Sequence, residues 1–291
     1  MGLVHRAHQG LTIDDRAQPT TGEIPLVGDG VTPGIVRIGS TVRRPVRPFT
    51  ATVQAFLRAL HDQGFTDAPI PLGTDDLGRE VLTFVEGEVP HEPVGAGFAG
   101  DDVLTALAVL VRRQHDAARG WVPPVDAVWG GPPVPAGAAP MPALVEPDLV
   151  AHMDYCPGNV VFRDGLPAAL IDFDYARPTT ALLDVLNALH WWAPLLDPAD
   201  RSPSLADVDV PARVRLFVDA YGLGAADREA LVPLALRRAE RSIVVMRAAA
   251  DADPVYRRMW DETGDGRLHR ALPWLLGAAP AITAKLTGPA H

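Results

Sequence analysis

The chain has 291 residues and a formal net charge of −10, long enough to bury a sizeable core, and its negative balance argues against a nucleic-acid partner or an anionic membrane surface. Its single cysteine, Cys156, excludes an intrachain disulfide and fits a reducing compartment. Residues 1–20 lack the apolar run of a signal peptide and no stretch is long enough to span a bilayer, so a cytoplasmic protein is expected.

Residues 22–87 read as a small sheet with one helix. Short strand-like runs at 24–27, 35–38 and 41–44 are separated by Gly28-Asp29-Gly30 and Gly39-Ser40. Val53, Phe56, Leu57 and Leu60 then recur at helical spacing within 49–64, and a further strand is expected over 80–85. Residues 101–119 read as a long amphipathic helix, and 121–147 as a Pro/Gly/Ala-rich excursion with little regular signal. Helices are expected over 182–192, 210–221, 226–251 and 268–276.

Between the excursion and these helices lies the most informative segment, His152-Met153-Asp154-Tyr155-Cys156-Pro157-Gly158-Asn159, followed by a hairpin and Ile171-Asp172-Phe173-Asp174. A base carboxylate, an amide oxygen and a second carboxylate appear in the order used by kinase-like phosphotransferases. The chain contains only two asparagines, Asn159 and Asn187, and one falls in the required slot. A four-residue loop from Asp164 to Pro167 would pair Arg163 with Ala168 and set Asn159 opposite Asp172. Residues paired this way lie about 5 Å apart, close enough to share one Mg²⁺ through oxygen donors. Asp154 would then face the nucleophilic hydroxyl, accepting its proton or orienting it. His152 is expected to pack and orient the loop, Asp174 to join the metal shell or cap the next segment of chain, and Asp184 to brace the catalytic loop.

The run HMDYCPGNVVFRDGLPAALIDFDYARP, with TVRRP and GREVLTFVEGEVP upstream, resembles the aminoglycoside phosphotransferase family, part of the protein-kinase-like superfamily that includes choline kinase. The resemblance covers about residues 22–192. It implies an α+β, bilobal fold, with a small β-rich N-lobe over 22–87 and a larger, mostly helical C-lobe over 88–291. It implies ATP or GTP in the cleft, Asp154 as catalytic base, and Asn159 and Asp172 as Mg²⁺ ligands. Adenine would lie against the backbone of Thr83 and Val85, with Leu82 behind it.

Kinase-like enzymes usually grip the phosphates with a strand lysine oriented by a helix glutamate. Here the sole lysine is Lys285, and residues 49–64 offer no acidic residue before Asp62. The phosphate cation is therefore expected to be Arg44 or Arg43, with Arg44 favoured by strand alternation. Gly28 to Gly34 reads as a phosphate-covering loop or a plain turn. Trp191 and Trp192 point to different faces of their helix, one for the core and one for the acceptor cleft. Asp251, Asp253, Trp260, Asp261 and Glu262 are weighed as an acidic aromatic wall for a cationic or sugar-like acceptor, against a merely solvated face. The expected activity is phosphoryl transfer to a hydroxyl of a small molecule, an aminoglycoside or nucleoside-like antibiotic. The alternatives are a kinase for a sugar, choline or amino alcohol, and a non-catalytic immunity or sequestering protein with a degenerate nucleotide site.

Overall fold

Six short strands and one helix build the first part of the chain: β1 (Thr12–Ile13), β2 (Ile24–Val27), β3 (Val36–Ile38), β4 (Thr41–Arg44), α1 (Thr50–Asp62), β5 (Pro71–Thr74) and β6 (Glu80–Thr83). The structure is a computed structural model, and it describes residues 12–13, 22–27, 33–137 and 143–288. The strands form one antiparallel sheet in the order β1-β2-β3-β4-β6-β5. Helix α1 buries Val53, Phe56, Leu57 and Leu60, the residues that set its periodicity. Strand β6 stops at Thr83, two residues before the expected end, because its partner β4 begins at Thr41, directly opposite. The linker beyond it is fastened to the second part. Glu88 and Phe162 exchange backbone hydrogen bonds of 2.9 and 2.7 Å. A Cβ at Gly87 would collide with Val161 and the Phe162 carbonyl, so that approach requires glycine.

The second part contains α2 (Asp101–Ala118), β7 (Leu149–Ala151), β8 (Val160–Arg163), β9 (Leu166–Leu170), β10 (Arg177–Thr179), α3 (Ala181–Trp192), α4 (Val210–Tyr221), α5 (Ala225–Ala252), α6 (Pro254–Met259) and α7 (Asp265–Thr287). The result is a bilobal α+β fold, β-rich in its smaller lobe and helical in its larger one. Among the described residues no helix is long and apolar enough to cross a membrane. Helix α7 runs well beyond the expected 268–276, since Leu275, Ile282 and Leu286 all carry its buried face onto the core. The antiparallel pair β7–β10 is not legible in the sequence, because three apolar or mixed residues carry no readable period.

The hairpin β8–β9 departs from the expected register. Arg163 pairs with Leu166 across the two-residue turn Asp164-Gly165, both residues having positive φ, and a bulge lies between Val161 and Phe162. At the open end the Ile171 N–H donates to the Asn159 carbonyl at 3.0 Å, so Asn159 faces Ile171 and Asp172 lies one residue further on. The left-handed backbone of Asp172, φ 59°, then turns the chain out of the hairpin.

Helix α3 anchors the loop that precedes this hairpin. Thr180 caps it, accepting from Leu183 N at 3.2 Å. Asp184, with no exposed surface, accepts from Met153 N at 2.7 Å and from the Tyr155 hydroxyl at 2.6 Å. It also lies 2.6 Å from His115 Nε2. The expected brace is therefore present. Asp184→Ala should leave these buried groups unsatisfied and cost about 3–5 kcal/mol in chemical denaturation, against a smaller loss for Asp184→Asn. An unchanged midpoint would remove the brace as a source of stability.

Candidate active site

The loop from His152 to Asn159 is held in a conformation that its own sequence does not favour. Met153 has φ 63°, a left-handed value that is strained for a non-glycine residue. The Asp184 bond to its N–H pins that turn, while Asn187 Oδ1 accepts from Tyr155 N and Trp192 Nε1 donates to the Tyr155 carbonyl, both at 2.7 Å. His152 is fully buried between Tyr155 and Phe173, with ring centroids 5.1 and 4.4 Å away. Burial pushes its imidazole down, so it is neutral. Nε2 donates to the Ile171 carbonyl at 2.9 Å and Nδ1 accepts from Asp154 N at 3.2 Å. Its place is the packing role expected of it.

Asp154 and Asn159 are brought together. Asn159 Nδ2 donates to Asp154 Oδ2 at 3.0 Å and to the Asp154 carbonyl at 3.1 Å. With both amide hydrogens committed, Asn159 presents its oxygen elsewhere.

Arg44 is the centre of the second cluster. Buried to 6% exposure, it donates through Nε to Glu80 at 2.5 Å, through Nη1 to Asp172 at 3.2 Å, and through Nη2 to Asp174. Burial opposes its charge, but Asp174, Asp172 and Glu80 outweigh that effect and raise its pKa. Arg43 points to the opposite face, with Nη1 on Thr41 Oγ1 at 2.6 Å and Nε 3.4 Å from Asp75. Strand alternation thus places Arg44, not Arg43, toward Asp172.

The orienting carboxylate absent from α1 is supplied by the neighbouring strand. Glu80 pairs with Arg44 across β4–β6, and Gln54 of α1 donates to its other oxygen at 3.0 Å. Glu80 escapes sequence reasoning even though Gly-Arg-Glu marks the start of β6. Only strand register reveals that this glutamate lies opposite the arginine.

Asp174 is pushed up to about 7, by burial and by the adjacent Asp172 carboxylate, with Arg44 opposing. Asp172 keeps 41% of its side chain exposed. The Asn159 oxygen, Asp172 and Asp174 are hard oxygen donors with an excess of negative charge, a donor set that suits Mg²⁺. Leu82 is buried at 8%, and Thr83 is bonded to Ile70 through its N–H at 3.0 Å and its Oγ1 at 2.8 Å. Val85 lies just beyond, in the linker. Most of the suggested loop from Gly28 to Gly34 lies outside the described residues.

Asp154 also opens onto a cavity of about 510 Å³, within the usual range for a small-molecule site. Trp191 lines it, while Trp192 is buried at 1%, so the two tryptophans divide as expected. Three arginines also line it, Arg177 of β10 and Arg238 and Arg241 of α5. None stands out in the sequence, because they meet only through the fold. The acidic aromatic wall does not form here. Asp251 pairs with Arg257, Asp253 accepts from Val255 N at 2.8 Å as the α6 cap, Trp260 is buried, and Asp261 and Glu262 are exposed.

The sequence profile of the phosphotransferase enzyme family (APH) matches residues 136–217, the span holding the loop and hairpin. The trifolitoxin immunity protein of Rhizobium leguminosarum bv. trifolii is 32% identical over 279 residues, covering 91% of this chain and 98% of that protein. Among solved structures, an amicoumacin kinase in complex with AMP-PNP and Ca²⁺ superposes with a TM-score of 0.54 at 10% identity, covering 87% of this chain and 86% of that one. A choline/ethanolamine kinase family protein from Mesorhizobium loti gives a TM-score of 0.52 at 16% identity, covering 87% and 88%. At such identities the two structures speak for the fold alone. The chain belongs to the phosphotransferase enzyme family, and its fold is the kinase-like one.

Proposed function

We propose that this protein transfers the γ-phosphoryl group of ATP or GTP to a hydroxyl of a small antibiotic molecule, protecting the cell that makes it. The observation that carries the reading is Asp154, bonded to Asn159, on the wall of a cavity of small-molecule size, together with an Arg44 that spans Glu80 and Asp172. Protection draws on the immunity role named for the relative that is 32% identical.

Each residue would act mainly through position and charge. Asp154 would accept the acceptor hydroxyl proton or align that oxygen for in-line attack. Arg44 can exchange Asp172 for a phosphate oxygen without losing Glu80, which holds its Nε. Asn159, Asp172 and Asp174 would hold Mg²⁺, which supplies charge neutralisation at the phosphates. Thr83 and Val85 would offer backbone groups to the base, with Leu82 behind it, and the lobe boundary would fall near residues 87 and 88.

The relative's name favours one further reading, a protein that gives immunity by sequestering its ligand without turnover. Incubation with Mg·ATP and a panel of antibiotics and hydroxylated metabolites, followed by mass spectrometry, separates the two. A product heavier by one phosphoryl group supports transfer, whereas tight calorimetric binding with no product supports sequestration.

Asp154→Asn should lower turnover by roughly two or more orders of magnitude with nucleotide affinity nearly intact. Equal turnover would take Asp154 out of the chemistry. In Arg44→Ala the fully buried Glu80 loses its counter-charge, a change expected to cost about 3–5 kcal/mol, and nucleotide binding should disappear. Glu80→Gln provides the milder version, with a stability loss of about 1–3 kcal/mol and a raised KM for ATP. Unaltered ATP affinity in a folded Glu80→Gln protein would show that the Arg44–Glu80 pair does not position the triphosphate.

A further inference from the structure

The cavity beside Asp154 has a charge opposite to that of the whole chain. Although the protein carries a net −10, three guanidinium groups, those of Arg177, Arg238 and Arg241, share this lining with one carboxylate. Arg238 and Arg241 are three residues apart on α5, on the face that continues through Ser242 and Val245 into the same cavity. Like charges at that spacing weaken a helix.

Asp154 is the one carboxylate of this lining. Its Oδ2 already accepts from Asn159 at 3.0 Å, and Oδ1 lies 3.4 Å from Cys156 N. Among the described residues neither Arg177 nor Arg238 forms an ion pair with a carboxylate. Arg177 commits one donor to the Tyr175 carbonyl at 3.1 Å, which leaves most of its fork available. Burial pushes Arg238 down to about 10, with Arg177 acting in the same direction and Asp154 against it. Arg177 is likewise lowered, first by burial. Guanidiniums withdrawn from water in this way gain most from a bidentate oxyanion. Trp191, Leu183, Val245 and Met246 give the remaining wall an apolar part, and Asn187, Thr179, Ser242, Tyr175 and Tyr256 are its polar members.

We propose that the acceptor bound in this cavity is an organic acid, an apolar body bearing a carboxylate held by Arg177 and Arg238, and not a polycationic aminoglycoside. Calling this ligand the acceptor rests on the transferase reading above, whereas its binding can be tested without turnover.

Cys156 is the sole thiol of the chain and lines the same cavity, so its modification rate reports the local potential. The full-length protein would be treated with sulfonatoethyl methanethiosulfonate, an anion, or trimethylammonioethyl methanethiosulfonate, a cation, and each rate divided by that of a free small thiol. The anionic reagent should be favoured by about tenfold, with the preference falling in Arg238→Gln and in Arg177→Gln. Benzoate should protect Cys156, and benzamide and kanamycin should not. Equal or inverted preference, indifference to both substitutions, protection by benzamide or kanamycin, or failure of both reagents to reach Cys156 would overturn the inference. Protection by inorganic phosphate but not benzoate would overturn the organic-acid class. Loss of the preference on adding Mg·ATP alone would reassign the arginines to the nucleotide. Because none of these readouts needs phosphoryl transfer, they remain informative if the mass-spectrometric test of activity fails.

Discussion

The site depends on one buried cation. Arg44 leaves the small sheet and meets Glu80, Asp172 and Asp174, carboxylates drawn from the adjacent strand and from the exit of the β8–β9 hairpin. Removing its charge would leave the buried Glu80 and Asp174 without a counter-charge, beside the partly exposed Asp172, which proteins tolerate poorly. The same contact joins the lobes, tying the sheet to the hairpin exit. Glu80, steadied by Gln54, keeps the guanidinium in place while its two terminal nitrogens address the acidic pair.

A second buried group acts on the other side of the site. Asp184 holds the strained Met153 turn and the Tyr155 hydroxyl. Asn187 and Trp192, one and two helical turns further along α3, take the backbone of Tyr155. Helix α3 is therefore the rigid element against which Asp154 is aimed. The strain lies in the loop and the compensating bonds lie in the helix, an arrangement common where geometry serves chemistry. Strand β10 then carries Arg177 to the cleft, opposite the α5 stripe of Arg238 and Arg241.

Local pattern revealed much of this architecture. The periodicity of α1, the apolar face of α2 and the Asp164-Gly165 turn all obey short-range rules. So does the order of Asp154, Asn159 and Asp172 in the chain. Register is harder to read. Spacing alone suggests a hairpin loop of four residues, but Asp164 and Gly165 both accept positive φ and close it in two, and the extra residue is absorbed as a bulge. Glu80 is hidden for a related reason. Its spacing from Arg44 in the chain carries no period, and only strand pairing sets the two opposite each other.

The sequence by itself determined the chemistry available: an acid, an amide and two further acids around a hairpin, with arginine in place of lysine as the candidate cation of the small sheet. It determined these because motif spacing and composition are properties of the chain alone. The tertiary structure decided which arginine turns inward, which carboxylate orients it, and that three arginines from β10 and α5 converge on the cavity beside Asp154. Those relations depend on strand register and on helix faces meeting across long sequence separations, where electrostatic energy falls with distance in space and is blind to distance along the chain.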